Sequence, residues 1–191
     1  GSERVIRFAF ELARKRGGQR KVTLTSKYNM LAKADGYFRE IGYAVAKDYP
    51  DITFETFIVD DFLCRMITNP CALDVVVMPN LYGDIMSDGA AGLIGGLGLA
   101  PSGCYGADYA YFESAHGTAP DIQGQNIINP TATLLSASMM LSYLGFHDAA
   151  NTLEAGISSL YAAGQCIPVD QGGTAKTNVF FQALDGALGL T

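Results

Sequence analysis

After position 65 the sequence has a single basic residue, Lys176. All seven arginines and the other five lysines lie in residues 1–65, whereas residues 66–191 carry ten acidic side chains. Because contacts to nucleic-acid phosphates need clustered lysine and arginine, this distribution argues against nucleic-acid binding. It also leaves the second half of the chain with almost nothing to hold a polyanionic ligand.

Long apolar runs and paired cysteine motifs are also missing. No run of about 18 or more apolar residues occurs, so the sequence predicts no membrane-spanning helix. None of the four cysteines forms a C-x-x-C pair or shows the spacing of a metal site. The sequence therefore predicts reduced, mostly buried thiols in a reducing compartment.

Strand-like and helix-like segments alternate through the first half of the chain. Apolar residues recur at helical spacing in the first segment, where they are Val5, Phe8, Ala9 and Leu12. Strands are predicted at 21–27, 52–59 and 74–79, and helices at 30–49, at 60–69 and after 79. This alternation is typical of an α/β layered sheet with helices on both faces.

The second half begins with a different composition. Residues 99–130 are rich in Gly, Pro, Asn and Ser around one strand-like piece, 109–115, and three helical segments follow at 130–145, 147–164 and 174–189. Because the loop-rich stretch is too long for an idle connection, we expect it to bind a ligand.

Three carboxylates have a spacing that suits a metal site. Asp84 and Asp88 lie four residues apart, on one face of a predicted helix. Asp60 lies at another strand-to-helix junction, and such junctions meet at the carboxyl edge of a parallel sheet. Three carboxylates in one crevice would suit Mg²⁺ or Mn²⁺. From spacing alone, Asp60 could instead serve only to begin a helix, and Asp84 and Asp88 could face solvent.

Two further stretches fit either a binding or catalytic role or an ordinary structural one. The segment AHGTAPDIQGQNIINP (115–130) offers backbone N–H groups for a phosphate-bearing ligand, although no G-x-G-x-x-G motif is present. It equally fits a structural turn. Lys27, with Asn29, follows the first strand; it could transfer protons, or it could be an ordinary surface lysine.

Taken together, these stretches resemble one family. NLYGDIMSD (80–88) is similar to its metal signature, and HGTAPDIQGQNIINPTA (116–132) is similar to its cofactor loop. K-x-N after a strand and D-x-G-G-x-A, from Asp170 to Ala175, also match. The family is that of the metal-dependent β-decarboxylating dehydrogenases, which act on isocitrate, isopropylmalate or homoisocitrate. The likeness is strongest to its NAD-dependent isocitrate dehydrogenases.

The resemblance implies the isocitrate/isopropylmalate dehydrogenase-like fold, of which this chain would be the C-terminal half. Residues 1–98 would form part of the small lobe, which dimerises and binds metal. Residues 99–191 would form the returning part of the large cofactor-binding lobe. The family's substrate-binding arginines and proton-donating tyrosine precede the matched region, so we expect no isocitrate turnover by this chain alone.

Roles for individual residues also follow from the resemblance. Asp60, Asp84 and Asp88 match the metal carboxylates, and Asp60 would act on the other subunit's site. Lys27 matches a lysine lent across the same interface for proton relay, so Lys27 and Asp60 would be catalytic. Cofactor-binding positions would be Asn29, His116, Gly117, Thr118, Ala119, Pro120, Asp121, Ile122 and Asn129.

The implied cofactors are NAD and either Mg²⁺ or Mn²⁺. Asp121 and Ile122 occupy the pair that separates NAD from NADP, and an acid there would accept from the ribose 2′-OH. The shortage of bases after Arg65 agrees, because a 2′-phosphate would find few partners.

The implied activity is oxidative decarboxylation of isocitrate to 2-oxoglutarate, a step of the tricarboxylic acid cycle. The 2-hydroxy acid would lose a hydride from C2 to NAD and then carbon dioxide, while the metal polarises the carbonyl. A homodimer or a hetero-oligomer with related subunits is implied. The location would be the mitochondrial matrix, or the cytoplasm for a bacterial protein.

Other functions remain open at this point. Isopropylmalate or homoisocitrate dehydrogenase is the nearest alternative, because the substrate-selecting residues are not in this sequence. A non-catalytic regulatory subunit or interaction fragment is another, although such subunits tend to lose the metal acids and all three are present here. A generic acidic cation-binding α/β domain would leave the HGTAPDI loop without a purpose.

Overall fold

A computed structural model describes residues 1–190 of the chain. The chain divides into two compact units, Gly1–Ala90 and a second unit that begins at Ala91. This division lies inside a helix, whereas the sequence predicted a lobe boundary after residue 98; the lobe assignment remains a prediction. Within the described residues, no helix is both long and apolar enough to span a bilayer.

The first unit is built on a parallel sheet of three strands in the order β2-β1-β3. The strands are β1 (Lys21–Ser26), β2 (Thr53–Ile58) and β3 (Val75–Val77). The helices are α1 (Ser2–Arg16), α2 (Asp35–Ala46), α3 (Val59–Thr68) and α4 (Asn80–Leu93), which crosses the division between units. The predicted alternation of strands and helices is therefore confirmed.

Both faces of this sheet are covered by helices. Val75 and Val77 belong to one apolar cluster with α1 and α2. Val76, which points the opposite way along the same strand, packs with Phe62 of α3 and Met86 of α4. Three layers result, as expected for an α/β sheet.

Two sequence-based details of the first unit were wrong. The buried face of α1 consists of Ile6, Ala9, Phe10 and Ala13, not the stripe that begins with Val5 and Phe8. Helix α2 begins at Asp35 rather than at residue 30, because the Lys27 carbonyl accepts the amides of Met30 and Leu31 in a tight turn. An acidic residue suits the first turn of a helix, where the backbone N–H groups are unpaired.

The second unit combines a hairpin with three helices. Strands β4 (Pro101–Tyr105) and β5 (Ala110–Ser114) are antiparallel, with Cys104 opposite Tyr111. Helix α5 (Thr131–Tyr143) lies on the hairpin, because the Ser136 hydroxyl donates to Glu113 O at 2.7 Å and accepts from Ser102 N at 3.3 Å. Helices α6 (His147–Ala163) and α7 (Thr177–Ala187) pack together around Ile157, Phe180 and Leu184.

Strand β4 was not predicted from the sequence, and its composition explains why. Pro, Ser and Gly fill its first three positions, and these residues are poor strand formers. Its pairing with β5 supplies what local preference does not. The expectation of free thiols is confirmed, but the expectation of buried ones is wrong: Cys64, Cys71 and Cys104 are exposed.

Candidate active site

The carboxyl ends of the three parallel strands gather the chemically interesting residues of the first unit. Strand β1 ends at Ser26, just before Lys27, and β2 ends at Ile58, two residues before Asp60. Strand β3 leads within three residues into α4, which carries two of the predicted metal acids. Ligands of α/β sheets bind outside this edge, so the fold places these residues where the sequence predicted.

Lys27 and Asp60 form an ion pair across two neighbouring strand ends. The Lys27 ammonium lies 2.5 Å from Oδ1 of Asp60. This hydrogen bond, with a smaller contribution from the backbone amide of Asp60, lowers the pKa of the Asp60 carboxyl below its ordinary value. Asp60 therefore stays ionised, and Lys27 is held within reach of whatever Asp60 binds. Asn29 is exposed in the turn that follows Lys27.

Asp84 and Asp88 lie one turn apart on the exposed surface of α4. Only the backbone carbonyl of Asp84 has a side-chain partner, the Ser87 hydroxyl at 3.0 Å. No hydrogen bond or ion pair engages either carboxylate group among residues 1–190. Two free carboxylates on one helix face are the oxygen donors that Mg²⁺ and Mn²⁺ prefer, so these residues fit the implied metal.

The three predicted metal acids do not form one group within a single chain. Among the described residues, no three His, Cys, Asp or Glu side chains are placed so that they could hold a metal together. The three acids are therefore not brought together within the described part of this chain, and their joint role as metal ligands stays a prediction. A shared site, in which Asp60 serves a second copy of the chain, stays a prediction.

Sequence reasoning missed a buried carboxylate beside this edge. Asp35 is only 7% exposed, and its Oδ2 accepts the backbone amide of Lys27 at 2.7 Å. Burial, and then the interaction with Asp35, raises the pKa of the Tyr82 hydroxyl on α4. The Asp-Gly pair at 35–36 was the available signal, since an acid favours a helix start.

The HGTAPDI loop has two features that suit a ligand site. The Nδ1 atom of His116 lies 2.8 Å from the Gly117 carbonyl, so Nδ1 carries a proton and donates it to that carbonyl. The other ring nitrogen, Nε2, is buried, without a hydrogen-bond partner among residues 1–190. Ala119 adopts a left-handed backbone with φ 43°, which is strained for a residue other than glycine. Such strain clusters at ligand clamps.

Two cavities adjoin this loop. The larger, of about 730 Å³, is lined by residues that include Thr118, Pro120 and Gln123. The smaller, of about 260 Å³, includes His116 and Gly117, and Ala119 and Ile122 line both. The larger volume lies in the range of small-molecule and cofactor sites, and His116, whose Nε2 is unpartnered among the described residues, belongs to the lining of the smaller cavity. These residues fit a dinucleotide.

Asn129 holds the end of the loop rather than projecting freely. Its side-chain oxygen accepts the Thr131 amide at 3.0 Å, and its nitrogen donates to Asp170 Oδ2 at 3.1 Å and to the Tyr161 hydroxyl at 3.3 Å. Gln171 donates to the same Asp170 oxygen and to the Gly95 carbonyl, both at 2.9 Å. The D-Q-G-G segment therefore supports the loop from behind.

Asp121 lies on the exposed side of the loop. It is the middle residue of a short 3₁₀ turn, Pro120–Ile122, and lines neither cavity, whereas its neighbour Ile122 lines both. Gln125 donates to the Asp121 backbone carbonyl at 2.9 Å, which leaves the carboxylate free of partners among residues 1–190. The Asp121 carboxylate is therefore exposed and, within the described residues, unpaired, next in sequence to a residue that lines both cavities.

Comparison with known proteins gives a consistent result. The family model described as isocitrate/isopropylmalate dehydrogenase matches residues 1–184. The chain is 50% identical to the 3-isopropylmalate/3-methylmalate dehydrogenase of Methanocaldococcus jannaschii, over 92% of this chain and 53% of that protein. It is 46% identical to the mitochondrial isocitrate dehydrogenase [NAD] subunit alpha of Macaca fascicularis, over 96% of this chain and 53% of that one.

Solved structures agree with the sequence relatives. The isocitrate dehydrogenase of Methylococcus capsulatus superposes with a TM-score of 0.93 at 43% identity, covering 98% of this chain and 56% of that chain. The chain thus spans about half the length of the relatives that it matches. The predicted fold is confirmed by these structures.

Proposed function

The chain belongs to the isocitrate/isopropylmalate dehydrogenase family, and we propose that it supplies the metal- and NAD-binding part of a β-decarboxylating 2-hydroxy-acid dehydrogenase. The observation that carries this proposal is that the chain, which matches the family model, contains Lys27, the HGTAPDI loop and all three acids, Asp60, Asp84 and Asp88. Because the chain spans about half of its relatives, the activity is proposed for the complete enzyme that contains it.

Asp84 and Asp88 would hold the divalent metal, with Asp60 of the partner subunit as the third carboxylate. When bound, the metal would polarise the substrate's C2 oxygen, and NAD would accept the hydride. The free carboxylates on α4 support the first part of this assignment. The failure of the three acids to meet within one chain supports the second, because a second copy can bring Asp60 to α4.

Lys27 would move a proton at the substrate's C2 hydroxyl in the partner's site. Its pairing with Asp60 supports this role, because both residues would then enter the neighbouring site together. For this role Lys27 would take the proton as a neutral amine and hand it on as the ammonium. Asn29, two residues further along the same turn, would face the nicotinamide end of the cofactor.

The HGTAPDI loop would hold NAD, with Asp121 selecting it over NADP. The orphaned His116 Nε2 would form a hydrogen bond with the cofactor, and backbone groups of residues 117–120 would face its phosphates. The Asp121 carboxylate would accept from the ribose 2′-OH and repel a 2′-phosphate. Lys176 is the one base in the second unit, which favours the less charged cofactor.

We favour isocitrate as the substrate, since the similarity to the mitochondrial alpha subunit extends over 96% of the chain. Isopropylmalate is the second candidate, because the archaeal 3-isopropylmalate/3-methylmalate dehydrogenase is 50% identical. Both substrates are 2-hydroxy acids with a carboxyl group on C3, and they differ in the other substituent of C3. The proposed location in the mitochondrial matrix depends on the same choice.

The proposal is tested by purifying the complete enzyme and measuring NADH formation with Mg²⁺ and each of isocitrate, 3-isopropylmalate and homoisocitrate. We expect turnover of isocitrate that stops when a chelator removes the metal. Turnover of 3-isopropylmalate alone would replace the first candidate by the second. A lack of NADH formation with all three acids would reject the proposed function and favour a regulatory subunit.

A further inference from the structure

Asp35 is a buried carboxylate to which the proposed chemistry gives no role. It is 7% exposed, and no lysine or arginine among residues 1–190 lies within salt-bridge distance of it. Burying a carboxylate without a cationic partner is costly unless hydrogen bonds satisfy it. A carboxylate that is buried at this cost in free energy, next to a candidate site, indicates a role beyond packing.

The bonds of Asp35 run to segments that carry proposed site residues. Its Oδ2 accepts the backbone N–H of Lys27 at 2.7 Å, directly after β1 ends. The Tyr82 hydroxyl, on the first turn of α4, interacts with the same side chain. Its own backbone carbonyl accepts a long bond from the Ser26 hydroxyl, at 3.5 Å. Asp35 thus contacts the turn that bears Lys27 and the helix that bears the metal acids.

A second residue of α2, Arg39, contacts the same turn. The Arg39 guanidinium lies over the Tyr28 ring, 4.2 Å from its centroid, and Arg39 is one helical turn after Asp35. Asp35 thus holds the backbone of Lys27, and Arg39 holds the side chain of Tyr28, so α2 contacts the turn at two points.

We propose that Asp35 is the positioning residue for Lys27. Its carboxylate holds the Lys27 backbone at the strand end, and this keeps the Lys27 ammonium beside the Asp60 carboxylate. This inference rests on the proposed function for its catalytic consequence, but its structural part stands on the contacts alone. A favourable place at the start of α2 would by itself explain an acid at this position. It would not explain a carboxylate aimed at the Lys27 amide and at Tyr82.

The structural part is tested by amide hydrogen exchange at Lys27 in the full chain, read by NMR. We expect the Lys27 amide to exchange about tenfold faster in Asp35→Ala than in the unaltered protein, because its acceptor is lost. Asp35→Asn keeps an acceptor oxygen and should restore most of the protection. Val45→Ala, which destabilises the same helix from the core, is the matched control and should leave Lys27 protected relative to its neighbours.

The catalytic part is tested in the complete enzyme with the same three variants. We expect kcat about 10- to 100-fold lower in Asp35→Ala with KM nearly unchanged, and partial recovery in Asp35→Asn. Equal Lys27 exchange in Asp35→Ala and Val45→Ala would overturn the proposal, as would faster exchange without a fall in kcat. Inactivity of the unaltered enzyme would reject the proposed function instead, and the exchange rates would still decide whether Asp35 holds Lys27.

Discussion

The Lys27 ammonium and the Asp60 carboxylate lie 2.5 Å apart, at the ends of two neighbouring parallel strands. Residues 33 positions apart in sequence are brought together by the register that pairs Ser26 with Ile58. The pair is exposed, so it adds little to stability. Its significance is that the two residues proposed to serve a partner's site already form one unit.

The first prediction concerns the titration of Asp60. Because Lys27 lowers the pKa of this carboxyl, we expect its NMR titration midpoint below the usual value of 3.8, and an upward shift in Lys27→Met. The stabilisation from the pairing is fully present above the unfolded-state pKa of 3.8 and is lost as the pH falls through the lower folded-state value. Asp51, whose pKa is lowered mainly by its hydrogen bond to Arg14, is the internal control and should not respond to Lys27→Met. An unchanged Asp60 midpoint would contradict the pairing.

The second prediction concerns metal affinity. Asp84→Asn removes an anionic oxygen donor while keeping size and helix, so we expect Mn²⁺ to bind the complete enzyme at least about tenfold more weakly by calorimetry. Asp48→Asn, which removes an exposed carboxylate paired with Arg7, is the matched control and should bind as the unaltered protein does. Equal affinity in both variants would remove Asp84 from the metal site.

The third prediction concerns the support of the cofactor loop. Asn129→Ala leaves the Thr131 amide without its side-chain acceptor and leaves the Asp170 carboxylate with Gln171 as a remaining donor, so we expect the free energy of unfolding in urea to fall by about 1–3 kcal/mol. Asn151→Ala, on the exposed face of α6, is the control and should stay within about 0.5 kcal/mol of the unaltered protein. A similar small effect for both variants would mean that Asn129 does not hold the loop.

The fourth prediction concerns cofactor choice. Asp121→Lys replaces the proposed acceptor of the ribose 2′-OH by a cation that suits a phosphate. The ratio of kcat/KM for NAD to that for NADP should therefore fall by roughly tenfold or more in the complete enzyme. Asp148→Lys changes the charge equally on exposed α6 and should leave the ratio unchanged. NADP preference in the unaltered enzyme would overturn the role given to Asp121.

Much of the first unit could be predicted because its signals are local. The positions of Lys27 and Asp60 follow from strand ends, and the shared face of Asp84 and Asp88 follows from helical spacing. The burial of Asp35 could not be predicted, because apolar periodicity placed the start of α2 too early. Its partners, Lys27 and Tyr82, come from other elements, and only their packing reveals the network.

The second unit shows the same limit of sequence reasoning. The three helices were expected, since long apolar periodicity identifies a helix without its neighbours. The pairing of β4 and the support of Asn129 by Asp170 depend on residues far apart in the chain. The candidate site was recognised through the resemblance of whole motifs, whereas spacing alone left each acid with an ordinary surface interpretation.

The most direct test of the account is a subunit-mixing measurement of Mn²⁺ binding by the complete enzyme. The Asp60→Asn and Asp84→Asn variants are purified separately, unfolded and refolded together. If Asp60 serves the partner's site, each hybrid dimer has one intact set of acids, and Mn²⁺ binding should return although neither parent binds well. Mixing that yields no more Mn²⁺ binding than the parents alone would contradict a metal site shared between two copies of this chain.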